Sequence, residues 1–430
     1  MKEFFYWLII SFVMIITGFP QSKTDVRKSL SEAAEYLQKN NLDAAEKILV
    51  QAKRSSPNNS DVHNLLGIIY DQKGDFSKAE TEYRASIRLN PKAVSPLANL
   101  GVLLTKTKRE KDAVQIFEAA LKLNPNHPQT IVNLGFLYSS LGNFPKAVDL
   151  LQKANLTQPN SADILLKLGV ALYQTKKPDE AKNIFEQLKS ISPNAESIYY
   201  LGLIAFDQNQ SDLATRYFEN ALALEPNFAD ANFMLGEIFS KQKRYSEAAQ
   251  FYEKAIAQDR TKDVYFVRLG GTYLIGNNVN KAFQYFKEAS ELFPQIAEIK
   301  YFLAIALRAK SDYDLAIAEV KKSLALKETA DSNALLGAIF ADRNQIVEAE
   351  KYLRKAILLN PNHFNSHYDL GRMLVKQQKF TEALPILQKA SILMPNNADV
   401  HYQLFLTYSR LKRKTDADNE FKLFKQFSNN

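Results

Sequence analysis

Residues 94–127 read VSPLANLGVLLTKTKREKDAVQIFEAALKLNPNH, and this stretch decides the fold. Leu97, Leu100, Gly101 and Leu104 fall at i, i+3, i+4 and i+7, which draws one apolar stripe along a first helix. Lys106 to Arg109 read as a turn. Ala113, Phe117 and Ala120 then line one face of a second helix, and Asn124-Pro125 ends it, because the residue before a proline is steered out of the helical region. Gly101 and Ala113 stand where the two backbones are expected to approach closely, with Phe117 filling the gap. Neither helix can bury its stripe alone, so the hairpin is stable only when neighbours stack on it.

The same unit recurs along the chain. Its Leu-Gly step returns at Gly67, Gly101, Gly135, Gly169, Gly202, Gly236, Gly270, Gly337 and Gly371, with Ala304 in the place of the one missing glycine. Successive members are 34 or 33 residues apart, and each is followed twelve residues later by alanine. Units begin near residues 26, 60, 94, 128, 162, 195, 229, 263, 297, 330, 364 and 398, so the array fills residues 23–430 and leaves no room for a separate globular domain.

Composition narrows the function classes. With 46% hydrophobic and 24% charged residues the chain is built to fold. It has no cysteine, which rules out disulfides, thiolate nucleophiles and cysteine metal sites. Lys2 precedes an apolar run at residues 4–19, so residues 1–22 are expected to be a secretory signal or an N-terminal membrane anchor, with the protein extracytoplasmic, periplasmic or secreted, or held at a membrane face. Without a nearby cysteine a lipoprotein anchor is excluded.

The unit resembles the tetratricopeptide repeat. Counting residue 94 as the first position, Leu100, Gly101, Leu104, Ala113, Phe117, Ala120 and Pro125 match that family's signature positions 7, 8, 11, 20, 24, 27 and 32. The resemblance implies an all-α solenoid of about twelve helix-turn-helix repeats wound into a right-handed superhelix, acting as a non-catalytic scaffold for protein partners. It implies no cofactor. The Lys and Asn clamp with which some members grip a C-terminal carboxylate is not matched, and the asparagine ladder of another member survives only at Asn99 and Asn133.

No nucleophile, phosphate loop or converging titratable set breaks the pattern, so no catalytic residue and no metal site is expected. His63, His367 and His401 share the fourth repeat position, while His127 and His363 follow Asn-Pro-Asn in connections. The resemblance implies that positions 2, 5, 6, 9 and 12 of the first helices line a concave groove. The groove candidates are Asn99, Asn133, Tyr173, Tyr199, Tyr200, Phe206, Phe233, Met234, Tyr301, Phe302, Tyr368 and Tyr402, aromatics and methionine being suited to holding an extended or helical segment of another protein.

Two further surfaces are candidates. The turns carry Lys106, Lys108, Arg109, Lys241, Lys243, Arg244, Arg410, Lys412 and Arg413, which read as a basic edge for an anionic membrane or polysaccharide surface. Nucleic acid ranks last, since a chain with a signal rarely meets it. Leu423 and Phe427, on the last helix with no unit after it, are candidates for self-association.

Overall fold

The computed structural model describes residues 24–428, which form 24 helices, from α1 (Thr24–Gln38) to α24 (Lys414–Ser428), with no strand among them. The expected signal or anchor at residues 1–22 lies outside the described residues. Helices pair in order into twelve hairpins. In the hairpin quoted above, α5 (Val94–Lys106) packs against α6 (Glu110–Leu123), within a residue or so of the boundaries read from the sequence. The chain divides into two compact units, one running to Tyr217 and the other from Phe218.

The Leu-Gly step is explained by a side chain sixteen residues further on. A Cβ added to Gly67 would sit 2.5 Å from the Tyr83 ring, and one added to Gly169 would sit 2.5 Å from the Phe185 ring; at Gly101 the same construction collides with Phe117. Glycine at position 8 is therefore a socket for the side chain at position 24, a ring in six repeats and Leu151, Leu353 or Leu387 in the other three. Where position 8 is Ala304, position 24 shrinks to Val320, and both are fully buried. In the first hairpin the two positions are Ala33 and Leu49, both fully buried.

Every hairpin turns the same way. Arg109 N–H donates to Leu104 O at 2.8 Å and Lys108 N–H to Thr105 O at 3.1 Å, the paired bonds of a Schellman end, which require a left-handed residue between helix and turn. That residue is Lys108, at φ 59°, and one such residue recurs in each hairpin, from Asn40 to Lys412. Only Gly74 and Gly142 supply it as glycine.

Second helices end as the sequence indicates. Asn124 caps the close of α6, its side chain accepting from Asn126 N–H at 3.1 Å, and Asn90 and Asn360 make the same turn at their own prolines. The core of the first unit runs through the hairpins as Leu100, Leu104, Phe117, Leu134, Leu151, Leu168 and Phe185; that of the second as Phe286, Leu303, Leu336, Leu353, Leu370 and Leu387.

Candidate functional site

Positions 2, 5, 6 and 9 of a first helix share one face because they step by three or four residues. What that face presents changes along the chain. In the early repeats it is closed: Leu65, Ala98 and Val132 are buried against neighbouring helices. Asn99, expected to face a partner, is also buried, its amide donating to Asn64 Oδ1 at 3.0 Å. Neighbouring first helices lie close enough here for two short amides to satisfy each other, so Asn99 is a structural contact. Asn133 is half-buried and accepts from Gln129 at 3.1 Å.

From the sixth repeat onward rings stand at the fifth or sixth position of most first helices, although the tenth repeat closes the face again with buried Ala334 and Leu335. In the first unit, Tyr200 on α11 (Ala195–Asp207) stacks on Phe185 with ring centroids 5.2 Å apart, and Tyr173 and Tyr199 stand edge-on to it at 5.6 and 5.7 Å. Tyr173 donates its hydroxyl to Asp207 at 2.8 Å, and burial together with that carboxylate pushes its pKa up. Tyr199, Tyr200 and Phe206 are all half-buried, leaving part of each ring on the surface.

The second unit repeats this corner. Phe302 on α17 (Ala297–Ala309) stacks on Phe286 at 5.5 Å, and Tyr301 stands edge-on to Phe302 at 5.3 Å. In both corners the sixth-position ring stacks on the ring at position 24 of the preceding hairpin, and the fifth-position tyrosine stands edge-on to it and is likewise half-buried. Phe233 stacks on Tyr265 at 4.8 Å and leaves Met234 half-buried beside it. Tyr368 lies half-buried and Tyr402 is exposed, the latter 5.2 Å from the Phe424 ring.

Acidic side chains accompany these rings. Glu196 and Glu298 occupy the second position, three residues before Tyr199 and Tyr301; both are exposed, and among the described residues neither has an ion-pair partner. Burial raises the Tyr301 pKa, with Asp331 of the next repeat adding to it; burial and Asp399 act likewise on Tyr368. Arg308 adjoins Tyr301 but is paired to Asp342 at 2.7 Å. The signal for these carboxylates was present in sequence as Ala-acid-x-x-aromatic-x-Leu, at residues 195, 229, 297 and 398.

The turn cations divide into several groups. Lys106 is held by Asp71 at 2.9 Å, Arg109 by Glu80 and Asp112 at 2.8 Å, Arg244 by Glu247 and Arg413 by Asp416. Lys108, Lys243 and Lys412 are the left-handed residues of their turns, so those positions have a backbone duty. Lys241 and Arg410 are exposed. Near the end of the chain, Leu423 and Phe427 are half-buried, and Phe427 packs 5.5 Å from the His401 ring. Phe427 thus packs back against the other helix of its own hairpin.

Histidines serve the scaffold. His63 bonds Glu82 at 2.6 Å and the Pro57 carbonyl at 2.8 Å, and His401 does the same with Glu420 and Pro395. His367 reaches Pro361 O at 3.0 Å but leaves its Nδ1 buried without a partner, because Ile386 stands at the repeat position of Glu82 and Glu420. His127 and His363 cap first helices, accepting from Thr130 and Ser366 N–H. His363 and His367 therefore point their nitrogens to different partners, and no group of three His, Asp or Glu suited to a metal occurs among the described residues.

A helical repeat protein with an aromatic stripe on its first helices is the class these features define. Models of the tetratricopeptide repeat match residues 30–94, 66–128, 199–263 and 272–333, and a second set matches 104–162, 141–205 and 340–402. The chain belongs to the tetratricopeptide repeat family, whose arrays act as scaffolds for contact between proteins. Among solved structures it is similar to yeast Tom70 (15% identical, 92% of this chain and 97% of that one, TM-score 0.40). It is also similar to the APC/C heterotetramer Cut9-Hcn1 (14%, 95% of each chain, 0.47). A third is the C-terminal part of a repeat protein from Cytophaga hutchinsonii (21%, 55% and 98%, 0.46). Over 63 residues it is 40% identical to Protein O-mannosyl-transferase F38B6.6 of Caenorhabditis elegans, a stretch that is 15% of this chain and 9% of that protein.

Proposed function

We propose that this protein is a non-catalytic scaffold that holds segments of partner proteins on first helices of its middle and late repeats, in an envelope or secretory assembly. The observation that carries the reading is the doubled aromatic corner, Tyr199-Tyr200 over Phe185 and Tyr301-Phe302 over Phe286. Each corner leaves its fifth-position tyrosine partly exposed on a helix face that earlier repeats close with aliphatic side chains. Tyrosine offers a large contact area with little rotamer entropy to lose, which suits recognition of an extended or helical segment. The apolar run at residues 4–19 supports delivery out of the cytoplasm or to a membrane face.

Capture from the native host, with partners identified by mass spectrometry, tests the reading on three forms of the chain. Tyr199→Ala with Tyr301→Ala spares the packed rings of Tyr200 and Phe302 and is expected to lose a discrete protein partner. Arg410→Ser with Lys412→Ser is expected to keep it. The reverse pattern would move the function to the turn edge. Fractionation of the same cells reports the compartment.

A further inference from the structure

The protein itself shows a cation held between a second-position acid and a ring, the ring there being Tyr265 on the first helix of the next repeat and not one on the acid's own helix. Asp230, at the second position of its repeat, accepts from Lys262 Nζ at 2.5 Å and from the Tyr265 hydroxyl at 2.5 Å, while that ammonium lies 5.5 Å from the Tyr265 ring centroid. Arg372 makes a related contact, 5.6 Å from the Tyr368 ring and 3.3 Å from Asp369. Asp331, again at the second position, is bonded by His363 Nε2 at 3.0 Å. Lys262 and His363 occupy the same place, the last residue of their repeats. In the repeat of Glu298 that place is Thr329, whose hydroxyl caps its own helix, so the chain supplies no cation to this carboxylate.

We infer that the corners formed by Glu196 with Tyr199 and by Glu298 with Tyr301 each receive a lysine or arginine side chain from a bound protein segment. A cation there gains a carboxylate and the face of a tyrosine together, as Lys262 does, and the two contributions reinforce each other. The occupant is a basic segment even though the chain as a whole carries a net charge of +8, because the charge facing it is local. Lys167, at the sixth position of the neighbouring first helix α9 (Ala162–Gln174), is exposed. The inference rests on the proposed function, and it adds the charge of the partner.

The test uses the full chain and two fluorescein-labelled peptides of about 15 residues, one alternating lysine with leucine and one alternating glutamate with leucine. Fluorescence anisotropy is expected to show binding of the lysine peptide alone. Glu196→Gln with Glu298→Gln, both exposed changes that preserve shape, should weaken that binding about three- to tenfold and flatten its salt dependence. Tyr199→Leu with Tyr301→Leu, which keeps apolar bulk and removes the ring, should weaken it by a similar factor. Failure of the lysine peptide to bind overturns the inference, as does binding that neither pair of substitutions changes. If both peptides bind equally and the tyrosine substitutions weaken both, the charge assignment falls while the aromatic surface stands.

Discussion

Two regions of every hairpin make a demand that glycine satisfies, and the chain answers them differently. Inside the hairpin, where position 8 faces the side chain at position 24, glycine is kept in nine of the twelve repeats, and Ala33, Ala304 and Phe405 stand there in the others. At the turn, where φ is positive, ten hairpins carry a residue other than glycine. The difference is one of magnitude. A methyl group pushed into a buried ring meets close-packed atoms that cannot move away, at a cost of about 1–3 kcal/mol or more. A left-handed residue at an exposed turn costs about 1 kcal/mol, less for asparagine, and no neighbour is disturbed.

The largest expected effect is therefore at the interior. Gly101→Ala should destabilise the repeats around it by about 2–3 kcal/mol, visible as a lower urea midpoint and as early exchange of amides in α5 and α6. Because stability in a repeat array is set by each unit and its neighbours, the loss should stay local. Phe117→Val in the same chain should relieve the clash, so that Gly101→Ala costs little in the Phe117→Val background, reproducing the Ala304 and Val320 pairing. An equal cost in both backgrounds would break the socket reading of the Leu-Gly step.

The turns give a smaller effect with opposite signs. Gly142→Ala, at φ 72° with nothing within 4 Å of the added Cβ, should cost about 1 kcal/mol from backbone conformation alone. Lys108→Gly should gain up to about 0.5 kcal/mol, the relief of the left-handed strain being partly offset by the greater freedom of glycine in the unfolded chain. Urea midpoints of the two variants against the parent check both signs. If Gly142→Ala proved as damaging as Gly101→Ala, the contrast between crowding and backbone strain would collapse.

The two regions also differ in how far the sequence alone revealed them. The interior was legible because the alternation of glycine, alanine and phenylalanine has a fixed period, and period is what one chain can show. The turn was half legible: glycine or asparagine stands at the left-handed place in six hairpins, Asn40, Gly74, Gly142, Asn209, Asn277 and Asn344, yet the lysines that share it read as surface charge. Ion pairs such as Lys106 with Asp71 stayed hidden because they join different repeats, 35 residues apart. Asn99 was misread for the same reason, since burial between neighbouring first helices depends on what stands one repeat away. The acids at Glu196 and Glu298 were visible, but their meaning needed the filled example at Asp230 and Lys262.

A third piece of punctuation, the start of a first helix, sharpens the scale at its lower end. His127 caps α7 (Pro128–Ser140) by accepting from Thr130 N–H through Nδ1, a bond open only to the neutral ring. Burial lowers the His127 pKa below its ordinary value near 6.5. The unfolded chain therefore takes up the proton first as pH falls. The contribution of this cap is complete above about pH 6.5 and fades as pH drops through the lower folded value. His127→Asn, which keeps a capping oxygen that does not titrate, should match the parent near neutral pH and exceed it by less than about 1 kcal/mol near pH 5. Paired urea titrations at the two pH values read the difference. It should fall well below the cost of Gly101→Ala, because half-buried imidazole loses only part of its hydration, whereas the socket at Gly101 allows no relaxation at all.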